Sequence, residues 1–92
     1  MIVETQMFPL GRMMITRTAR TTLDLDDVKV AIARHAAGDW GECSQEDCKE
    51  NDLSVEQEFR ILSVYRDRND VKFWIITEAD RSATTVLLPE DY

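Results

Sequence analysis

The last third of the chain, Phe59 to Tyr92, reads as three β-rich runs joined by two polar turns, and this pattern constrains the fold more than any other. From Phe59 the side-chain period is two. Arg60, Leu62 and Val64 alternate with Ile61, Ser63 and Tyr65, as expected of a strand with two unlike faces. Asp67-Arg68-Asn69-Asp70 supplies the polar residues that a hairpin connection needs. Val71 to Thr77 is β-branched and aromatic, with Val71, Phe73 and Ile75 on one face and Lys72, Trp74 and Ile76 on the other. Both faces read as largely covered, which predicts a central strand. Glu78 to Ser82 forms the second turn, and Ala83 to Leu88 forms a third strand that Pro89 stops. An antiparallel meander is the expected result.

Upstream the period lengthens. Thr22 or Asp24 is placed to cap a helix, with Asp26 and Asp27 at the positive end of its dipole. Leu25, Val28, Ala31, Ile32 and His35 recur at spacings of three and four, so they predict one apolar stripe, with Asp26, Lys29 and Arg34 towards water. Gly38 is placed to end this helix, and the dipole at its last turn favours a protonated His35. Ser44-Gln45-Glu46-Asp47 matches a capping pattern, and Ser54-Val55-Glu56-Gln57 repeats it. Residues 44–58 therefore read as one helix or as two short ones. Residues 1–20 read as an extended arm or edge strand after the Pro9-Gly11 turn, with Met7, Met13 and Met14 as core gap-fillers or as a soft contact surface.

The expectation is a single α+β domain over residues 1–92. It comprises an arm or edge strand at 1–20, helices at 24–58 and antiparallel strands at 59–92, with two or three helices packed on a meander of three to four strands.

The net charge of −7 is concentrated in the middle of the chain. Three arginines against Glu4 give +2 for residues 1–20, eleven acids against three bases give −8 for 21–58, and six acids against five bases give −1 for 59–92. An acidic surface repels phosphate and disfavours duplex nucleic acid as a partner. It fits solvated helix faces, and also a surface that imitates nucleic acid. No apolar run approaches the ~18 residues of a membrane span, and no leader pattern is present, so a cytoplasmic protein without a membrane partner is expected. Cys43 and Cys48, with His35 as the sole histidine, fall short of the ligand set of a structural zinc site. Free thiols, no metal and no cofactor are expected.

Two places could carry function. Trp40 stands between Gly38 and Gly41, where it is either a plug at the edge of the core or, with Asp39, an anchor for a partner. The turn Thr77-Glu78-Ala79-Asp80-Arg81-Ser82 gathers carboxylates, a guanidinium and hydroxyls. As structure, Asp80 and Ser82 satisfy turn amides while Arg81 pairs with Glu78 or Asp80. As a binding surface, Asp80 and Arg81 face a partner. As chemistry, Glu78 is a general base, Arg81 holds a phosphate and His35 is the acid, a metal-independent ribonuclease arrangement.

Arg34-His35 followed by Gly38-Asp39-Trp40-Gly41, and the ending Trp74-Ile75-Ile76-Thr77-Glu78-Ala79-Asp80-Arg81-Ser82 through Thr84-Thr85-Val86-Leu87-Leu88-Pro89-Glu90-Asp91-Tyr92, resemble a group of short bacterial proteins carried on plasmids and integrative elements, described as plasmid-related. Phe8 to Gly11 resembles the opening of that group, whereas Thr16-Arg17-Thr18-Ala19 replaces a Thr-Pro-Gly turn. The resemblance spans residues 30–92 and implies mobile-element biology without a mechanism. The hairpin-rich half also distantly resembles small toxin and barnase-like nuclease folds. The leading expectation is a non-enzymatic accessory protein that binds another protein through the Trp40 loop, the acidic helices or an exposed sheet face. A small ribonuclease or toxin-like enzyme and an acidic nucleic-acid mimic are the alternatives.

Overall fold

The computed structural model describes residues 6–92, so the first five residues of the expected arm lie outside the described residues. The elements run in the order β1 (Arg12–Ile15), α1 (Arg17–Thr22), α2 (Leu25–Ala36), α3 (Gln45–Gln57), β2 (Ile61–Arg66), β3 (Lys72–Thr77) and β4 (Ala83–Leu87), closed by a 3-10 turn at Pro89–Asp91. The architecture is α+β.

Each helix begins where a side-chain oxygen takes up an orphaned amide. Thr16 accepts from Ala19, Asp24 from Asp27 and Ser44 from Asp47. Helix α2 ends as the Gly38 spacing predicts: Gly38 adopts φ +84° and Asp39 N–H donates to Arg34 C=O at 2.8 Å. Residues 45–57 form one helix. Ser54 is no second cap, because its hydroxyl donates to Glu50 C=O at 2.8 Å from inside the helix.

The sheet order is β1-β4-β3-β2. Strands β2, β3 and β4 form the expected antiparallel meander with β3 central, but β1 pairs with β4 in parallel, so the sheet is mixed. Gly11 makes that approach possible: its φ is +65°, and a Cβ there would meet Arg81 O at 2.4 Å. Arg12 N–H then donates to Ser82 C=O and Thr16 N–H to Val86 C=O, each at 3.0 Å. Helix α1 is absent from the sequence-based expectation, since residues 1–20 read there as an arm or edge strand.

One sheet face carries the core. Ile61, Tyr65, Phe73, Ile75 and Val86 point inwards, and Ala19, Leu23, Val28 and Ala31 close over part of this face. A fully buried Phe or Ile side chain contributes about 1.5–3 kcal/mol relative to exposure, so this layer is where stability concentrates. Phe8, Trp40 and Ile61 extend it, backed by Cys48 and Val55 of α3. Two sequence expectations need correction here. Leu25 is 46% exposed rather than part of the buried stripe, because it sits at the first residue of α2, beyond the cover of the sheet. Met7, Met13 and Met14 are exposed rather than core fillers; Met13 and Met14 lie on a short strand at the sheet's margin.

The hairpin between β2 and β3 is locked to α2. Asp67 accepts from Asn69, Val71 and Asp24 amides, while Arg68 pairs with Asp24 and Asp27. Among the described residues, no helix is long and apolar enough to cross a membrane.

Candidate functional site

His35 is not a surface acid. It is fully buried, projecting from the last turn of α2 onto strands β2 and β3. Its Nδ1 meets the Ser63 hydroxyl, and its Nε2 lies 2.8 Å from Thr77 Oγ1. Thr77 Oγ1 lies 2.8 Å from Thr84 Oγ1, and the Thr84 hydroxyl donates to Leu10 C=O at 2.7 Å.

The carbonyl at the far end sets the direction of this chain, because it can only accept. Thr84 spends its proton on Leu10, so it accepts from Thr77. Thr77 in turn accepts from His35 Nε2–H, and Nδ1 accepts from Ser63. The ring is therefore the neutral Nε2–H tautomer. Burial, with the Arg81 charge as a second cause, pushes the His35 pKa down to about 4. The dipole argument for a protonated His35 is overturned, since a helix terminus contributes less than the loss of hydration. Phe8 and Trp40 close the pocket with their rings 5.3 and 5.7 Å from the imidazole, both edge-on.

Trp40 is 4% exposed and belongs to the core. Its Nε1–H donates to Asp52 at 2.9 Å, which ties the loop to α3. Its indole is therefore unavailable as a surface anchor. Asp39 is held by Arg34 through Nε at 2.7 Å and also accepts from Gly41 N–H, and both the ion pair and that bond keep its carboxyl below the usual range.

The Glu78 to Ser82 turn does not assemble with His35 into an open cleft. Arg81, in a left-handed conformation at φ +62°, turns its guanidinium onto main-chain carbonyls: Ser54 at 2.7 Å, Phe59 at 2.8 Å and Glu78 at 3.2 Å. It clasps the end of α3 to the turn and stacks over Phe8 at 5.5 Å. It pairs with neither Glu78 nor Asp80. Glu78 instead approaches Arg60 at 4.0 Å. Asp80 accepts from Ser82 N–H at 3.0 Å, as the turn reading predicts, and that hydrogen bonding lowers its pKa. The three residues of the ribonuclease arrangement thus have separate tasks, and the histidine is sealed from solvent. Ser63 and Thr84 are residues that sequence reasoning missed, and Thr77 reads in the sequence as part of the polar turn rather than as a partner of His35. Their signal was a hydroxyl at an inward position of a strand, between Ile61 and Tyr65 in the case of Ser63.

The second sheet face is where surface chemistry remains. Alternation and register place Met14, Thr85, Ile76 and Leu62 in one row across all four strands, with Leu87, Trp74 and Val64 in the next. The core helices lie on the opposite face. Ile76 and Leu87 are buried, Trp74, Leu62, Val64 and Thr85 are half-buried, and Met14 is exposed. Strand β3 is central and largely covered on both faces, as its pattern predicts, with Trp74 half-buried on this one and its ring edge-on to the Tyr92 ring at 5.6 Å. Arg60 in turn lies over Tyr92 at 5.1 Å and donates to its hydroxyl.

Cys43 and Cys48 are free thiols, and burial pushes the Cys43 pKa up. No group of three or more His, Cys, Asp or Glu side chains among the described residues is placed to hold a metal ion. Comparison with known protein families, with characterised proteins and with solved structures finds no match to this chain.

Proposed function

We propose that this protein is a non-enzymatic accessory protein of a mobile genetic element that acts by binding another protein through the uncovered face of its sheet. The observation that carries the reading is the apolar row Met14–Thr85–Ile76–Leu62 beside Leu87–Trp74–Val64, in which Met14 is exposed and Leu62, Val64, Trp74 and Thr85 are half-exposed around the buried Ile76 and Leu87, rimmed by Arg60, Arg66 and Lys72. An aromatic within a contiguous apolar patch and a charged rim is the anatomy of a partner surface. The mobile-element assignment rests on the resemblance of the Arg34–Gly41 and Trp74–Tyr92 blocks to plasmid-related proteins. The sealed, neutral His35 supports a non-enzymatic role, since a general acid must reach its substrate.

The test is affinity capture from cells carrying the native element, with the wild-type chain and Trp74→Lys side by side. A stoichiometric protein retained by the wild type and lost by a Trp74→Lys chain that still melts cooperatively supports the reading. Equal retention by both chains moves the interface off this face, and RNA captured without a protein partner overturns the proposal in favour of a ribonuclease.

A further inference from the structure

The sheet has a second surface whose chemistry is different, at its β1 edge. In the parallel pairing, Arg12 and Thr16 amides turn towards β4, so by alternation the N–H and C=O groups of Met13 and Ile15 turn outwards. No described main-chain or side-chain group meets the Met13 and Ile15 amides from that side. Beside this edge, β1 and α2 flank an open hollow of about 220 Å³ lined by Met13, Met14 and Ile15 of β1, Leu25, Val28 and Ile32 of α2 and Val86 of β4, with Lys29 as its one charged residue. Met13 and Leu25, 42% and 46% exposed, leave apolar surface at its rim. An unsatisfied strand edge beside an apolar groove is the arrangement that accepts an added strand: the main chain supplies the hydrogen bonds and the groove takes alternate side chains.

The charge around the edge selects the occupant. The chain carries −7 overall, yet Arg12 and Arg17 bracket β1 and Lys29 lines the hollow, all three exposed and none in an ion pair with a described residue. A second copy of this chain fits poorly. Antiparallel pairing of two β1 strands about Met14 would bring Arg12 of each beside Arg17 of the other, like charge against like at both ends.

We infer that the β1 edge binds an extended, acidic-flanked segment of a partner protein as a fifth strand, antiparallel to β1, with alternate apolar side chains seated between β1 and α2. Pairing at Met13 and Ile15 gives up to four main-chain hydrogen bonds. The side chains opposite them enter the groove, and flanking carboxylates meet Arg12, Arg17 and Lys29. Met14 belongs to both surfaces, but Trp74 stands two strands away on β3, so Trp74→Lys separates binding here from the sheet-face reading.

The probe is a fluorescein-labelled peptide Glu-Glu-Val-Thr-Val-Glu-Asp, titrated with the full-length chain and read by anisotropy, with amide hydrogen exchange in parallel. Saturable binding that weakens with salt is expected, with slowed exchange at the Met13 and Ile15 amides. N-methylation of the two valine amides weakens binding about tenfold or more, whereas N-methylation of the threonine amide, which faces away, leaves it unchanged. Leu25→Glu and Lys29→Glu weaken binding, Trp74→Lys does not, and a probe with lysines in place of its acids binds at least about tenfold more weakly. Absence of saturable binding at millimolar protein, or equal affinity for the valine-methylated probe, overturns the inference. So does a dimer seen by sedimentation that the probe dissociates, which would make a second copy the occupant.

Discussion

The two edges of the sheet differ in almost every respect. At β2, the outward groups of Val64 are covered by main chain: Val64 N–H donates to Trp40 C=O at 3.1 Å, and Glu42 N–H donates to Val64 C=O at 2.7 Å. The outward groups of Leu62 are covered by side chains, with Asn51 Nδ2 donating to Leu62 C=O at 2.8 Å and Oδ1 accepting from Leu62 N–H at 3.3 Å, and the Cys43 thiol donating to the same carbonyl at 3.4 Å. Asn51 thereby acts as a single-residue strand. At β1, the described residues provide no such cover. An open edge invites pairing with other chains, and natural sheets block the edges they do not use. A protein that seals one edge with a glycine loop and a buried asparagine, and leaves the other beside a cation-flanked groove, has separated a structural edge from a binding one.

The sharpest way to break the contrast is Gly41→Ala. The residue adopts φ +72°, and a Cβ would stand 1.9 Å from Val64 O and 2.7 Å from the Tyr65 ring, both immovable without opening the β2 edge. We expect a loss of about 3 kcal/mol or more in urea unfolding.

The next largest effect is set by pH. His35 has its folded pKa near 4, below the ordinary 6.5, so the unfolded chain takes up a proton that the folded chain refuses. Stability is full above pH 6.5 and falls as pH drops from 6.5 towards 4, by about 3 kcal/mol. Urea midpoints across that range should fall steadily in the wild type. A His35→Gln chain, though less stable, should lose this component, while a wild-type midpoint flat between pH 6.5 and 4 would contradict the buried neutral ring.

Asn51→Ala exposes the contrast more selectively. It leaves Leu62 N–H without a partner and its C=O with the Cys43 thiol alone, which should cost about 1–3 kcal/mol. It also uncovers the Leu62 part of the β2 edge, so light scattering should show self-association absent from the wild type. Met13→Thr at the open edge marks the small end of the series. A half-exposed position with no side-chain bond should change stability by no more than about 0.5 kcal/mol. Stability losses of equal size at Asn51 and Met13 would dissolve the distinction between the edges.

Much of the fold was legible because its signals are local. Asp24 and Ser44 cap helices from three residues away, Gly38 terminates α2, and Asp67 to Asp70 makes the hairpin. Helix α1 escaped notice because Arg-Thr-Ala-Arg-Thr-Thr has three threonines, weak helix formers, and no apolar period in six residues. Of the candidate site residues, Asp80 serves the turn as read by accepting from Ser82 N–H, whereas Arg81 does not pair with a carboxylate. Its charge is spent instead on main-chain carbonyls, from Glu78 in its own turn to Ser54 of α3, 27 residues away in sequence.

By itself, the sequence determined the helix starts, the meander and the α+β class, because caps, turns and side-chain periods act over a few neighbouring residues. Only the tertiary structure decided that Trp40 is core, that His35 is neutral and that one sheet edge is closed while the other stands open. Those properties depend on hydration lost and hydrogen bonds gained between distant parts of the chain, as between His35 and Thr77, 42 residues apart.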